Sequence, residues 1–385
     1  MKKILFVLPS LKIGGLEKVQ ITIANALAER NYDITIMALN PECDLLDQLD
    51  GRVNYIYKPY KQHPIASHIP YIRHKFYDDG MWETRASAKK LYKYYIGKEK
   101  YDVEIGFFRG LPIKIISGST IKDSIKLAWV HSDFRKASGY KNNFKRMADV
   151  KAAYSKFDKV VCVSNQAQEG FKQIIGDTEN LTTIYNLLPI NQIVKLAEEK
   201  PEVEVPRSKY NLVLVGRLLD SAKGQVRLIK VVSKLKVEGY ELSLTLVGGG
   251  SDEKLIKETI TNCSATEFIF MTGNQTNPYP YIKNSDLLVC ASYFEGYNLT
   301  VAEALILGVP VLSTNCPGPN EILDGGKYGK IIDNSEEGLY QGIKELLDNP
   351  DKLQDYKKKA TERLDFFNEE KIINQIQKLF EKDIV

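Results

Sequence analysis

Residues 286–313, DLLVCASYFEGYNLTVAEALILGVPVLS, alternate between two kinds of sequence pattern. Residues 286–290 and 309–313 are short, mostly apolar runs, which predicts strands that are buried on both faces of a sheet. Between them, residues 299–308 have the length and composition of a helix. A strand, a helix and a second strand in this order predict one unit of a parallel sheet.

The same alternation extends along the rest of the chain. Apolar runs that predict strands lie at residues 4–8, 33–38, 53–57, 103–107, 126–130, 159–163 and 181–184, and then at 212–215, 243–247, 268–271, 286–290, 309–313 and 329–332. Helical patterns fill the gaps between them, and the first helix is expected at residues 16–30. A length of 385 residues suits two hydrophobic cores. The chain is therefore predicted to be an α/β protein with two doubly wound, Rossmann-like domains.

The domain boundaries follow from a break in this alternation. Residues 198–208 contain two prolines and six charges, which favours an interdomain connection. We predict an amino-terminal domain at residues 1–188, a carboxyl-terminal domain at 189–365, and a terminal helix at 366–385 that packs back toward the first domain. Ligands bind beyond the carboxyl ends of parallel strands. The sequence therefore predicts a site in a cleft between two facing domains.

Cysteine use and hydropathy exclude several classes of protein. The cysteines are odd in number and never spaced as C-x-x-C, which argues against a disulfide scaffold and a zinc site; they are Cys43, Cys162, Cys263, Cys290 and Cys316. The first apolar run is about five residues long, shorter than a secretory signal needs. No run approaches the roughly 18 apolar residues of a membrane span. We therefore expect a cytoplasmic protein.

The charge is distributed unevenly along the chain. Residues 1–185 hold 29 Lys and Arg against 20 Asp and Glu, whereas residues 186–385 hold 24 against 29. Part of the basic surplus lies at residues 85–100, where lysines alternate with tyrosines and aliphatic residues. Such a helix is consistent with peripheral contact with an anionic membrane surface. The alternative is a solvated helix that covers the sheet. No nucleic acid partner is expected.

Gly14 and Gly15 lie in the turn between the first strand and the first helix. Adjacent glycines let the backbone approach a ligand closely, and the free amides at a helix start favour an anion. The sequence here is neither a dinucleotide fingerprint nor a Walker loop. A tight turn without a ligand is the alternative interpretation.

A second candidate site follows the first strand of the second half. Gly216 and Arg217 end that strand, and Lys223 lies six residues further on, at the start of a helix. The guanidinium fork of Arg217 and the ammonium group of Lys223 could hold a diphosphate together. The alternative is that each cation forms its own surface salt bridge.

The richest pattern is FEGYNLTVAEA at residues 294–304. The amides of Leu299 and Thr300 would point from a helix start toward phosphate, and Glu303 could accept hydrogen bonds from a ribose diol. Glu295, in the preceding loop, could bind sugar hydroxyls. The alternative is a capped helix whose acidic residues face solvent.

These motifs in combination resemble the GT-B retaining glycosyltransferases of family 4, the glycosyl transferases of group 1, over nearly the whole chain. The resemblance implies that Glu295 contacts the donor sugar, that Glu303 binds the donor ribose, and that Arg217 and Lys223 hold the diphosphate. The donor-binding residues that it implies are Gly14, Gly15, Gly216, Arg217, Lys223, Gly273, Asn274, Glu295, Gly296, Tyr297, Asn298, Leu299, Thr300 and Glu303.

The resemblance also assigns a catalytic group of His131, Glu295, Arg217 and Lys223. His131 matches a histidine at a strand end that faces the transferred sugar, where it would hydrogen-bond the donor hexose or the acceptor hydroxyl. A lone histidine in such a position is more often structural. Tyr297-Asn298 departs from the pattern, because many relatives have an aromatic residue followed by Gly or Pro, and this leaves the identity of the donor sugar open.

The expected reaction is transfer of a hexose or an N-acetylhexosamine from a nucleotide diphosphate sugar to a saccharide acceptor, which we expect to be lipid-linked. UDP is the expected carrier and GDP is the alternative. No cofactor and no metal are expected, since the sequence has no D-x-D pattern and the cations can stabilise the leaving phosphate. The rival functions are a nucleotide-sugar 2-epimerase, a phosphorylase, and a two-domain sugar-binding protein without catalysis.

Overall fold

The computed structural model describes residues 1–59, 81–136, 139 and 141–381. The chain forms two compact units. The first unit consists of residues 1–188 together with residues 370–385, and the second unit is the continuous segment 189–369.

The first unit is built on a parallel sheet of seven strands, in the order β3-β2-β1-β4-β5-β6-β7. The strands are β1 (Lys3–Leu8), β2 (Asp33–Ala38), β3 (Asn54–Tyr57), β4 (Val103–Gly106), β5 (Ile125–Val130), β6 (Lys159–Cys162) and β7 (Leu181–Thr183). The helices between them are α1 (Gly15–Glu29), α2 (Met81–Arg85), α3 (Ala88–Tyr95), α4 (Leu111–Ile116), α5 (Met147–Tyr154) and α6 (Asn165–Ile174).

The second unit has a parallel sheet of six strands, in the order β10-β9-β8-β11-β12-β13. The strands are β8 (Tyr210–Val215), β9 (Leu242–Val247), β10 (Ile269–Gly273), β11 (Leu287–Cys290), β12 (Val311–Thr314) and β13 (Lys330–Ile332). The helices are α7 (Ile190–Leu196), α8 (Asp220–Lys223), α9 (Gln225–Val237), α10 (Glu253–Asn262), α11 (Tyr279–Lys283), α12 (Leu299–Ile306), α13 (Pro317–Ile322), α14 (Glu336–Asp348) and α15 (Pro350–Glu362). A last helix, α16 (Glu369–Lys378), begins at the end of this unit.

Both sheets confirm the prediction of a doubly wound α/β fold. Most strands are apolar and buried on both faces, as in Leu5, Phe6 and Val7 of β1, which are 0% exposed. The strand order reverses between β1 and β4 in the first unit and between β8 and β11 in the second. Loops at the carboxyl ends of these strands are where ligands bind in such sheets. The predicted site residues lie at the carboxyl ends of β1, β5, β8, β10 and β11 or follow them.

Residues 370–381 complete the core of the first unit. Phe380 is buried, and its ring contacts the ring of Tyr32 with 5.5 Å between the centroids. The Lys2 ammonium group donates a hydrogen bond of 2.6 Å to the Phe380 carbonyl, and Arg30 pairs with Glu370. These contacts join the last helix to the start of the chain.

The basic segment at residues 85–100 covers the sheet of the first unit. Leu91, Tyr92 and Tyr95 on α3 are buried in its core, so the apolar face of this helix is already packed. Lys89, Lys93 and the neighbouring lysines stay exposed. The structure therefore favours the interpretation of this segment as a solvated helix over that of a helix with its aromatic face inserted in a bilayer.

The segment at residues 198–208 packs against other residues of the second unit. Glu198 forms an ion pair with Lys283, and the amide of Val203 donates a hydrogen bond of 2.9 Å to the Tyr281 hydroxyl. Arg207 donates to the carbonyl of Asn284 at 3.0 Å. Residues 189–208 therefore belong to the second unit.

Within the described ranges, no helix combines the length and the apolar composition that a bilayer crossing requires.

Candidate functional site

The loop after β8 brings Gly216 and Lys223 together. A Cβ added to Gly216 would lie 3.6–3.9 Å from the end of the Lys223 side chain, which is ordinary contact distance. Gly224 then has φ 66°, a left-handed conformation that lets α8 end and α9 begin within one residue. Arg217 is exposed beside this turn, and its positive charge acts against the protonation of Lys223. The two predicted cations therefore lie near one another.

Three consecutive glycines after β9 pack against the backbone of the loop that follows β8. A Cβ on Gly248 would lie 2.1 Å from the Gly216 carbonyl oxygen, and a Cβ on Gly250 would lie 2.3 Å from that of Leu218. Only glycine permits such close backbone packing. The sequence analysis missed this contribution, although three glycines at a strand end are a visible signal of close backbone approach.

Lys223 and Glu295 form the central ion pair of the second unit. The Lys223 Nζ atom lies 2.6 Å from Glu295 Oε1, and the Ser292 hydroxyl donates to the same oxygen at 2.6 Å. Burial acts to lower the pKa of Lys223, but the Glu295 carboxylate outweighs it and the pKa lies above its ordinary value. The ammonium group is therefore charged and held in place.

A buried arginine positions the loop that carries Glu295. The Arg227 Nη2 atom donates to the Ala291 carbonyl at 2.6 Å and to Asn334 Oδ1 at 2.7 Å, and the guanidinium stacks 3.8 Å from the centre of the Tyr293 ring. The amide of Asn334 in turn donates to the Tyr293 carbonyl at 3.0 Å. Sequence analysis missed Arg227, because an arginine on a helix gives no signal that it is buried.

Asn298 explains the departure from the family pattern at this position. Its φ is 75°, in the left-handed region that glycine and asparagine tolerate, and it caps the start of α12. Its Oδ1 atom accepts from the Val301 amide at 3.2 Å and from the Thr300 hydroxyl at 2.7 Å. The Asn298 and Thr300 side chains are thus used in the cap, and the amides of Leu299 and Thr300, like the first amides of any α-helix, have no partner within the helix.

Glu303 lies in the second turn of α12 and is 6% exposed. The hydroxyl of the buried Tyr279 hydrogen-bonds its carboxylate, and burial followed by the Glu303 charge raises the pKa of Tyr279. Tyr279 therefore stays protonated and orients the carboxylate. The interpretation of Glu303 as a solvent-facing acid does not fit this burial.

The remaining predicted donor residues lie at two places in the second unit. Gly296 and Tyr297 continue the Glu295 loop, and Tyr297 is buried. Gly273 ends β10 with φ 73°. The side chain of Asn274 then packs against the glycine loop, since a Cβ on Gly249 would lie 2.8 Å from its Oδ1 atom.

In the first unit, Gly14 and Gly15 begin α1 as predicted. The Glu17 side chain folds back over this helix start, because a Cβ on Gly14 would lie 2.2 Å from Glu17 Oε2. Gly14 has φ −173°, which any residue adopts, so the close carboxylate rather than the backbone favours glycine. Leu16, next along the chain, lines a cavity of about 270 Å³ in this unit.

His131 lines the same cavity at the end of β5. Its Nε2 atom lies 2.8 Å from the Phe107 carbonyl oxygen, which assigns the proton to Nε2. The Nδ1 atom is buried without a hydrogen-bond partner in the described part of the chain. Burial, and then the nearby charge of Arg109, lower the pKa of His131 to about 4 despite the bond to Phe107. The imidazole is therefore neutral at pH 7.

This neutral histidine predicts an acid-sensitive first unit. The pKa is about 4 in the folded chain and about 6.5 when unfolded, so the unfolded state binds more protons between these values. Stability therefore falls as the pH decreases through this window, by about 1–2 kcal/mol between pH 7 and pH 5. Replacing His131 by Gln should remove this part of the pH dependence.

Urea unfolding monitored by tryptophan fluorescence measures this effect selectively. The chain has two tryptophans, Trp82 and Trp129, and both lie in the first unit. The difference in unfolding free energy between pH 7 and pH 5 is compared for the wild type and His131→Gln. Equal differences in the two proteins would contradict the prediction.

Arg109, which sequence analysis also missed, lies in the loop after β4. Its Nη1 atom donates to the Ser132 hydroxyl at 2.8 Å. Its position after a strand that adjoins the switch point was the available signal. The structure thus brings Lys223, Glu295 and Gly216 together in the second unit, and His131 and Arg109 together in the first.

Known glycosyltransferases resemble this chain in sequence. Residues 197–363 match the family model of the glycosyl transferases group 1. An uncharacterized glycosyltransferase of Haemophilus influenzae is 26% identical over 382 residues, which cover 97% of this chain and 99% of that protein.

A second relative has a more specific name. It is the N-acetylgalactosamine-N,N'-diacetylbacillosaminyl-diphospho-undecaprenol 4-alpha-N-acetylgalactosaminyltransferase of Campylobacter jejuni. It is 26% identical over 238 residues, which cover 60% of this chain and 63% of that protein.

The fold has close counterparts among solved structures. The crystal structure of Anabaena HepE in complex with UDP and glucose superimposes with a TM-score of 0.75 at 18% identity, covering 98% of this chain and 99% of that one. Both parallel sheets are thus those of the GT-B fold. Fold, family model and relatives agree that the chain is a glycosyltransferase, and its residues 197–363 match the glycosyl transferases of group 1.

Proposed function

We propose that this glycosyltransferase moves a hexose or an N-acetylhexosamine from a UDP sugar to a saccharide acceptor with retention of the anomeric configuration, as in family 4. The observation that carries the proposal is the Lys223–Glu295 pair at 2.6 Å, placed beside Gly216 and the start of α12. In this arrangement a single loop cluster would offer a cation to the phosphate and a carboxylate to the sugar hydroxyls.

The leaving group explains the need for these cations. Cleavage of the anomeric bond builds positive charge on the sugar and negative charge on the departing diphosphate. Lys223, Arg217 and the first amides of α12 would stabilise that negative charge. We propose that they do so without a metal ion and without a cofactor, and that the acceptor attacks the face from which the diphosphate leaves.

The carboxylates take the other parts of the donor. Glu303, buried and oriented by Tyr279, would accept hydrogen bonds from the ribose diol. Glu295 would bind hydroxyls of the transferred sugar when the donor displaces part of its contact with Lys223. The backbone at Gly273 and Asn274 would contact the base.

The donor and acceptor classes are supported by the relatives. UDP is bound in the HepE structure, and the Campylobacter enzyme is named for a diphospho-undecaprenol acceptor and an alpha linkage. Retention fits an alpha product, because the common UDP-hexoses carry their sugar in alpha linkage. We propose a lipid-linked saccharide acceptor, used in the synthesis of surface polysaccharide or cell-wall glycan.

A lipid-linked acceptor would place the enzyme at the inner face of the cytoplasmic membrane. The exposed lysines on α3 would then contact anionic headgroups mainly by charge, since Tyr92 and Tyr95 on the same helix are buried and Tyr94 is the exposed tyrosine beside them. Salt should weaken such contact.

The test is a hydrolysis and thermal-shift screen of UDP-glucose, UDP-galactose, UDP-GlcNAc, UDP-GalNAc and GDP-mannose, with and without EDTA. One UDP sugar should bind and be hydrolysed slowly in both conditions, and Arg217→Ala and Glu295→Ala should abolish hydrolysis. NMR of the released or transferred sugar reports the anomeric configuration. Conversion of the donor to its 2-epimer without release of UDP, or binding of no nucleotide sugar, would refute the proposal.

A further inference from the structure

The cavity beside His131 carries a single positive charge. Its lining residues include Arg109, and none of the lining residues that the structure describes is an aspartate or a glutamate. His131 is neutral, since its pKa is about 4, so Arg109 supplies the whole charge of the lining. A volume of about 270 Å³ is near the lower end of the range for ligand pockets and suits one sugar residue.

The guanidinium of Arg109 has hydrogen-bonding capacity left over. Arginine has five N–H donors in a planar fork, and one nitrogen of Arg109 is bonded to the Ser132 hydroxyl at 2.8 Å. No carboxylate of the described residues lies within ion-pair distance of it. A fork of this kind binds phosphate or carboxylate through two parallel hydrogen bonds.

The neighbouring loop leaves room for this side chain. A Cβ on Gly139 would lie 3.4 Å from Arg109 Nε and 3.2 Å from Asn142 Nδ2, so any larger residue there would press on both. Asn142 and Asn143 also line the cavity and add amide donors and acceptors. The side-chain amides of Asn142 and Asn143 can hydrogen-bond sugar hydroxyls, and the guanidinium of Arg109 can bind an anionic substituent.

The net positive charge of residues 1–185 also favours an anionic ligand. Residues 1–185 carry nine more basic than acidic side chains. A field of this sign raises the local concentration of anionic ligands and speeds their association.

We propose that this cavity binds an anionic saccharide, as part of the acceptor, and that Arg109 selects it by pairing with its phosphate or carboxylate group. The inference rests on the proposed function, because it assigns the acceptor rather than the donor to the first unit. It adds a chemical requirement, namely that the acceptor residue or the group next to it is negatively charged.

Isothermal titration of the full chain tests the proposal, with UDP present at saturation so that the phosphate-binding residues of the second unit are occupied. The probes are methyl α-glucoside, glucuronate and glucose 1-phosphate. At least one charged probe should bind tenfold or more tightly than the neutral one. The charged probe that binds then tells whether a carboxylate or a phosphate is recognised.

Variants of two arginines separate recognition from general charge. Arg109→Ala should remove the preference for the charged probe, and Arg109→Lys should keep part of it. Arg146→Ala is the matched control, because this arginine of the first unit is 78% exposed and pairs with Asp149. A urea unfolding transition, monitored by tryptophan fluorescence, that matches the transition of the wild type shows that a variant is folded.

Equal binding of charged and neutral probes, or a preference that survives Arg109→Ala, would overturn the inference. Failure of the chain to bind UDP would instead count against the proposed function, since UDP occupies the other unit. A preference that disappears equally in Arg146→Ala would show a general charge effect and would also overturn the inference.

Discussion

Replacing Lys223 by Met is expected to lower kcat for sugar transfer by about 100- to 1,000-fold, the usual effect of removing a group that stabilises charge in a transition state. The Lys223 Nζ atom lies 2.6 Å from Oε1 of Glu295, the carboxylate that we propose binds the sugar. Its removal costs stabilisation of the leaving diphosphate. Among the residues that the structure describes, Ser292 is then the remaining partner of that oxygen.

Steady-state kinetics with the preferred donor measure this loss. The matched control is Lys254→Met, which removes a lysine of the same unit whose side chain is 90% exposed, and it should leave kcat unchanged. A double-mutant cycle with Glu295→Gln should show non-additive effects, because the two side chains are in contact. Strict additivity, or a kcat within threefold of wild type in Lys223→Met, would contradict the assigned role.

Replacing Arg227 by Met is expected to destabilise the second unit by about 3 kcal/mol. The guanidinium is 5% exposed and donates to the Ala291 carbonyl and to Asn334. Methionine fills much of the space but leaves both acceptors without their donor. The loop from Ala291 to Glu295 also loses its anchor, and a displaced carboxylate should lower kcat by a further tenfold or more.

Hydrogen exchange at the amides of α12 reports the stability of this unit, and kinetics report the position of the loop. Lys230→Met is the control on the same helix, where the lysine is exposed. Arg227→Lys keeps the charge but not the fork, so it should recover part of the stability and little of kcat. If Arg227→Met matched the control in both measurements, the positioning role would be wrong.

The sheets and the loops at their ends could be predicted from the sequence, because buried parallel strands are continuous apolar runs. β2 begins and ends at the predicted residues, and β11 differs by one. The glycines and charged residues after β8 and β11 were visible for the same reason. Their common location follows from topology, since β8 and β11 are neighbours in the sheet.

Contacts between distant residues could not be predicted in this way. Nothing in the sequence pairs Lys223 with Glu295 rather than leaving both in solvent. Arg227 is of a residue type that is usually exposed, yet it is buried beneath a loop that lies more than 60 residues away in the chain. The role of Asn298 was also hidden, since a left-handed φ is a property of the folded backbone and not of the residue type.

His131 shows a different limit of prediction from the sequence. Its position at the end of β5 was predicted, but its surroundings were not, and the bond to the Phe107 carbonyl fixes its tautomer. The ring can accept a hydrogen bond only through Nδ1, which is buried. A sugar hydroxyl that reaches it must first displace the atoms that cover it.

The first unit is built from two segments of the chain that are far apart in sequence, and this affects how it folds during synthesis. During translation, residues 1–188 emerge long before Phe380, whose ring fills part of their core. The continuous segment 189–369 can fold before synthesis of the chain is complete, whereas residues 1–188 cannot complete their core until the residues after 369 have been synthesised. Chains that stall before residue 370 should therefore expose an apolar gap near Tyr32, a feature that chaperones and proteases would recognise.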